Sequence, residues 1–143
     1  MNEVYFYALK LLSKRDYSVH DLRKKIEVKF QDVPDDVIAQ LISKNFLNDR
    51  RFAENYVMRR KDRGRTALRE DLIARGIAPE LGDAILAQTD WPSLRDALTA
   101  KMNDWKLRAP LQSRDAARLF RALLRLGYDE DAIREEIEYL HEQ

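Results

Sequence analysis

Apolar positions recur along this chain at helical spacing, and the frame they form is itself repeated. Leu68, Leu72, Ile77 and Leu86 mark one copy, with Gly76 before the isoleucine. Leu119, Leu123, Tyr128 and Ile137 mark another, displaced by 51 residues (68 to 119), with Gly127 in the matching place. In each copy a helical stripe runs into a glycine, and an acidic turn opens the next stripe. A looser first copy reads Leu22, Ile26, Val37 and Ile38, with about two extra residues in its inter-helix loop. A second periodicity is independent of the first. Tyr7-Ala8 with Leu11-Leu12, Phe52-Ala53 with Tyr56-Val57, and Ala97-Leu98 with Lys101-Met102 share the spacing i, i+1, i+4, i+5, each step being 45 residues (7 to 52 to 97). That spacing places the four positions on one helical face.

Stop and start signals divide the stripes into nine helices, near 3–15, 19–29, 34–45, 49–62, 66–75, 79–88, 92–105, 113–126 and 130–141. Ser18 is placed to cap the second, with Asp21 three residues on, a variant capping box whose carboxylate can reach back to a free N–H. Pro34 and Pro79 suit first turns, and Asp35, Asp36 and Glu80 set negative charge against the positive helix ends. Gly76 and Gly127 supply the left-handed residue that closes a helix. No alternating run marks a strand. The period predicts an all-α fold of three tandem three-helix repeats, residues 1–46, 47–89 and 90–143, forming one continuous, elongated repeat domain.

Composition narrows this further. The 143 residues are 45% hydrophobic, enough for a folded core, yet each unit alone lies near the lower size limit for stability, so the units are expected to lean on one another. The absence of cysteine excludes disulfides and thiolate metal sites and fits a reducing cytoplasm. Glu3, Lys10, Lys14 and Arg15 interrupt the first helix, which resembles neither a signal peptide nor a membrane span. A cytoplasmic monomer with no membrane partner is expected.

The net charge of +1 conceals a strong separation of signs. Residues 58–75 carry seven basic side chains against three acidic ones, and residues 129–143 carry one against seven. Such polarity suits a protein that meets a large charged assembly in a fixed orientation. The densest basic segment is Arg59-Arg60-Lys61-Asp62-Arg63-Gly64-Arg65. It fits an anion contact, either phosphates of a nucleic acid or acidic side chains of a partner, with Gly64 letting the backbone approach closely. The competing reading is a helix C-terminus that collects cations through its macrodipole, with Gly64 as a C-cap. The number of arginines exceeds what one helix end needs. Lys24 and Lys25, with Arg23 and Lys29, form a weaker patch, and Arg69 lies just beyond the main one.

Catalytic chemistry finds little support. His20 and His141 stand far apart, and His20 falls in a capping turn where exposure to solvent is expected. No Gly-rich phosphate loop, nucleophile elbow or His-Glu metal motif occurs, so no catalytic residue, metal site or cofactor is expected. Phe52, Tyr56, Trp91 and Trp105 fall at core spacing; Tyr5, Tyr7 and Tyr17 are the remaining candidates for base stacking.

The segments Ala8–Ile26 (ALKLLSKRDYSVHDLRKKI) and Phe46–Val57 (FLNDRRFAENYV), then Arg63-Gly64, Leu72, Arg75-Gly76-Ile77 and Leu126–Ile133 (LGYDEDAI), resemble the RecX regulatory proteins. The resemblance runs from about residue 4 to residue 140, and Asp90-Trp91 is similar to the family's entry into its third repeat. Two places differ from the usual pattern: the turn Gly64-Arg65-Thr66-Ala67-Leu68, and the loop Phe30–Val33, which lacks a glycine. The resemblance implies a curved stack of three three-helix repeats that binds the nucleoprotein filament of the RecA recombinase. It implies that the protein restrains RecA ATP hydrolysis, strand exchange and filament growth in recombination, DNA repair and the SOS response. Single- or double-stranded DNA is a further partner on this view. The filament-contact or DNA-contact residues it points to are Arg59, Arg60, Lys61, Arg63 and Arg65, then Lys24, Lys25 and Arg69. The alternative is a small helical DNA-binding protein that acts on single strands without RecA.

Overall fold

The computed structural model describes the backbone of residues 2–141 and the side chains of residues 2–140. Among these residues it is all helical: α1 (Glu3–Lys14), α2 (Val19–Phe30), α3 (Asp35–Ser43), α4 (Asp49–Arg59), α5 (Arg65–Ala74), α6 (Pro79–Gln88), α7 (Leu94–Asp104), α8 (Ser113–Arg125) and α9 (Glu130–His141). The stretch read as one helix over 49–62 is broken. Arg60 leaves helical geometry (φ −131°, ψ 31°) and its N–H turns to the Val57 carbonyl, after which Lys61–Arg63 form a separate 3₁₀ turn.

The chain divides into two compact units, residues 1–60 with 69–88, and residues 61–68 with 89–143. The first holds a core of Tyr5, Ala8, Leu22, Ile26, Val37, Ile38, Leu41 and Leu47. The second is built around Leu98, Leu119, Leu123, Ile133 and Ile137. The repeated apolar frame is the buried one: Leu22, Ile26, Leu68, Leu72, Leu119 and Leu123 are each at most 1% exposed. The four-position face is buried throughout at Phe52, Ala53, Tyr56 and Val57. In the flanking copies it is buried at Ala8, Ala97 and Leu98, while Tyr7, Leu11, Leu12, Lys101 and Met102 are half-buried.

Helix starts follow the local chemistry. Ser18 Oγ accepts from Asp21 N–H at 3.1 Å, and Pro79 occupies the first position of α6. The Asp21 carboxylate faces the Arg75 guanidinium at 3.5 Å, and Asp49 accepts the Val19 N–H at 2.9 Å. Pro34 is the cap residue of α3 and contributes no side-chain hydrogen bond there.

Helix ends are more uniform than the glycines foretell. Gly76 and Gly127 close α5 and α8 in the left-handed region (φ +79° and +97°), with Ile77 N–H reaching Leu72 O and Tyr128 N–H reaching Leu123 O. Asn45 (φ 62°) and Lys106 (φ 57°) close α3 and α7 by the same pair of bonds, Phe46 N–H to Leu41 O and Leu107 N–H to Met102 O. Gln31, in the loop that lacks a glycine, sits at φ 67°. A side chain in this conformation costs roughly 1–2 kcal/mol, partly offset by the smaller chain entropy of a non-glycine residue. Gln31→Gly and Lys106→Gly are each expected to stabilise the protein by about 0.5–1 kcal/mol in urea unfolding. A loss of stability from either would contradict this account of the two helix ends.

The same junction occurs once within each unit. In the first, the Ser18 hydroxyl, which has no exposure, donates to the Arg75 carbonyl at 2.7 Å. A Cβ at Gly76 would lie 2.2 Å from the Cβ of His20, so the start of α2 rests directly on the end of α5. His20 is thus half-buried and packed, contrary to the expectation that it faces solvent. In the second unit Arg65 N–H donates to Leu126 O at 3.3 Å, and a Cβ at Gly127 would lie 3.3 Å from that of Arg65.

Candidate anion-binding site

The basic segment Arg59–Arg65 crosses from one compact unit to the other at residue 60, so its cations are best described in two sets. Arg59 and Arg60 belong to the first unit. They end α4, whose i, i+4 pair Phe52 and Tyr56 is buried, and this register carries Arg59 and Arg60 outward. They line a cleft of about 290 Å³ together with Lys14 and Arg15 at the end of α1, Asn55 of α4 and Arg75 just after α5. Three helix C-termini deliver the cations. The macrodipole accounts for a cation at each end, but not for the meeting of the three ends around one space.

Acidic groups near the cleft are already engaged. Asp16 pairs with Arg51 at 3.3 Å, and Asp71 accepts the Tyr56 hydroxyl at 3.2 Å. Arg60 lies over the Tyr56 ring with 4.1 Å from guanidinium carbon to centroid, Arg75 lies 4.9 Å from the same ring, and Arg15 stands 3.8 Å over Tyr17. Planar guanidinium groups stack well on aromatic faces and stay charged when they do. The Arg75 guanidinium is held above its ordinary pKa chiefly by the Tyr56 phenol beside it, with Asp21 adding to this and burial opposing it.

In the second unit the remaining cations of the segment are tied to the protein. Lys61 Nζ donates to the Asp90 carbonyl at 3.0 Å, and Arg65 lies 5.7 Å over the Trp91 ring. Arg63 is exposed on the 3₁₀ turn. Gly64 ends the 3₁₀ turn rather than α4. Its close approach is to the protein itself, since a Cβ would sit 2.6 Å from Leu126 Cα. It closes the 3₁₀ turn by donating its N–H to the Lys61 carbonyl at 3.1 Å, and opens α5 by accepting the Leu68 N–H at 3.0 Å.

The other candidates lie elsewhere. Arg69 of α5 grips Asp83 of α6 through two bonds of 2.7 and 3.4 Å. That pairing raises the Arg69 pKa and lowers that of Asp83. Lys24 and Lys25 are exposed on α2, outside the walls of the cleft, and Arg23 pairs with Asp35 at 3.0 Å. Lys14, Arg15 and Arg75, unmarked as candidates by sequence, complete the cleft, because nothing in a linear pattern shows which helix ends will meet. The stacking candidates are packing residues: Tyr5 and Tyr17 are 7% and 5% exposed, and Tyr7 meets Phe30 edge-on with centroids 5.5 Å apart. At the acidic end Glu136 pairs with Arg95 at 3.2 Å, and Arg134 meets Glu130 and Asp131 at 3.1 and 2.9 Å. Glu142 and the His141 side chain lie outside the described residues. Among the described residues no His, Cys, Asp and Glu cluster fits a metal ion, and no helix is long and apolar enough to cross a membrane.

Residues 48–86 match the family described as "RecX, second three-helix domain". The chain is 33% identical over 131 residues to the regulatory protein RecX of Mannheimia succiniciproducens, covering 85% of this chain and 84% of that protein. It is 32% identical over 102 residues to that of Haemophilus influenzae strain Rd, covering 66% and 67%, and 27% identical over 139 residues to that of Streptococcus pyogenes strain Manfredo, covering 94% and 53%. The crystal structure of RecX from Lactobacillus salivarius shares the fold at a TM-score of 0.73 with 23% identity, over 96% of both chains. By these relationships the chain belongs to the RecX family of regulatory proteins.

Proposed function

We propose that this RecX-family regulator binds the RecA–DNA nucleoprotein filament and inhibits RecA ATP hydrolysis, strand exchange and filament growth, acting as a binding protein without chemistry of its own. The three helical repeats, residues 1–46, 47–89 and 90–143, are on this reading the units that meet the filament. The observation that carries the reading is the gathering of Lys14, Arg15, Arg59, Arg60 and Arg75 around one cleft. A family of regulators named for RecA-linked control has a natural use for such a surface against a polyanionic filament. Lys61, Arg63 and Arg65 of the second unit, and Lys24, Lys25 and Arg69 of the first, are further contact candidates on this reading.

The test is DNA-dependent ATP hydrolysis by RecA on single-stranded DNA while this protein is titrated in, with binding to bare DNA measured in the same buffer. Inhibition at concentrations too low to coat bare DNA is the expected result. No change, or inhibition only once the DNA is saturated, would favour a DNA-binding protein that acts on single strands without RecA. Arg59→Ala combined with Arg63→Ala is expected to lower filament affinity at least tenfold (about 1.4 kcal/mol) while the melting temperature holds, since both side chains are exposed. Equal loss of affinity and stability would make these arginines structural.

A further inference from the structure

We infer that α8 and α9 carry the two halves of a contact between copies of this chain, the arginine face of one copy meeting the acidic face of the next. The inference adds a mode of regulation to the proposed function and rests on that reading only for the lattice on which copies line up. Arg114, Arg118, Arg121 and Arg125 follow the spacing i, i+4, i+7, i+11 along α8, and all four are exposed. At about 100° per residue they form one stripe, roughly 16 Å long, on the side of the helix away from the buried Leu119 and Leu123. Arg118 lies 3.7 Å over the Trp105 ring, and none of the four side chains enters an ion pair among the described residues. On α9 the first three places of this spacing are acidic. Asp131, Glu135 and Glu138 stand at i, i+4, i+7, exposed and turned away from the buried Ile133 and Ile137. Asp131 is paired with Arg134 at 2.9 Å, whereas Glu135 and Glu138 have no ion pair among the described residues.

The spacing decides the occupant. A helix with carboxylates at i, i+4, i+7 is the direct counterpart of one with arginines in that register, because the same rise separates successive charges on both. This chain supplies both faces, and they do not meet within one copy. Leu119, Leu123, Ile133 and Ile137 join α8 and α9 in one core, and both stripes lie on the sides away from it. A nucleic-acid strand laid on the arginine stripe would have the acidic face of α9 in the same unit, and like charge disfavours that approach. Leu124, three residues beyond Arg121, and Tyr139, four beyond Glu135, are 43% and 49% exposed and add apolar area beside the charges. Exposed ion pairs contribute little singly and association costs translational freedom, so free copies are expected to meet only weakly, with a Kd on the order of 0.1–1 mM. The monomer expected from the sequence is thus the dilute state. Two copies held side by side on a repeating filament meet at an effective concentration on the order of mM, so the contact forms there and binding of one copy favours the next. Because the two faces differ, the contact runs head to tail and has no built-in end.

The experiment follows sedimentation of the full chain alone, over protein concentrations spanning that Kd and at low and high salt. The unsubstituted chain is expected to associate reversibly at low salt, and its Kd to rise about tenfold or more at 1 M salt, where the Debye length is about 3 Å. Two variants separate the faces. Arg121→Glu with Arg125→Glu reverses the basic one, and Glu135→Lys with Glu138→Lys reverses the acidic one. All four side chains are exposed and free of ion pairs among the described residues, so both variants are expected to melt as the unsubstituted chain does. Each variant alone is expected to associate about tenfold more weakly or worse. An equimolar mixture of the two is expected to regain association, because each then offers the other an opposite charge at both faces. Loss in both variants with no recovery in the mixture would overturn the inference. So would an unsubstituted chain that stays monomeric throughout at low salt, or association that the reversals leave unchanged. Weaker binding of a labelled single-stranded oligonucleotide by the arginine variant, with self-association intact, would assign the stripe to nucleic acid instead. Because RecA is absent from this assay, self-association can fail here while RecA inhibition persists, or hold here while RecA inhibition fails.

Discussion

Gly64→Ala is expected to destabilise the protein by about 3 kcal/mol or more, because two separate obstacles meet at one Cβ. The backbone stands at φ +88°, where an alanine is strained by roughly 1–3 kcal/mol. The added carbon would also lie 2.6 Å from Leu126 Cα and 3.1 Å from the Arg125 carbonyl oxygen, and backbone atoms cannot rotate away as the end of a side chain does. Urea unfolding of this variant beside Thr66→Ala, an exposed neighbour in the same turn, separates the effect from a general sensitivity of the segment. Thr66→Ala is expected to stay within about 0.5 kcal/mol. A loss below about 1 kcal/mol for Gly64→Ala would mean that the turn moves off α8 at little cost.

Leu68→Ala and Leu119→Ala should each cost about 3–5 kcal/mol, the range for a large apolar side chain removed from a site that cannot collapse. Both leucines have no exposure, and they occupy the same place in the frame repeated at 51 residues. Leu124, five positions beyond Leu119 on the same helix, is 43% exposed, and Leu124→Ala is expected to cost less than about 1 kcal/mol. Denaturant midpoints of the three variants measure this directly. If Leu124→Ala proved as damaging as Leu119→Ala, the assignment of the buried face of α8 would be wrong.

The parts of this molecule that were legible in its sequence are those fixed by neighbours in the chain. Ser18 capping α2, Pro79 starting α6 and Gly76 and Gly127 closing their helices all depend on residues within one or two turns, so the pattern alone locates them. The left-handed ends at Gln31, Asn45 and Lys106 escaped notice because no glycine marks them. There the hydrogen bonds of the helix end impose a conformation that the residue itself disfavours. The break at Arg60 was hidden for a similar reason, since Arg60 and Lys61 are good helix formers and the 3₁₀ turn comes from how residues 61–68 pack in the second unit. Two of the five cations of the cleft, Arg59 and Arg60, were legible in the basic run. The other three, Lys14, Arg15 and Arg75, are brought in by packing across the first unit, and Gly64 looked like a ligand-side residue only because a glycine gives no sign of which backbone it admits.

The stack of Arg60 on Tyr56, with Arg75 near the same ring, has a consequence for how an anion is received. A free arginine side chain carries about 2 kcal/mol of rotational freedom, and an exposed one loses much of this each time it grasps a ligand. On the proposed reading, Arg60 and Arg75 surrender part of that freedom when the chain folds, so that an anion would meet donors whose positions are already set. Two proteins with identical charge can differ in affinity on this ground alone. On that reading the buried Tyr56 would contribute to binding without touching the ligand, through the disorder it has already removed.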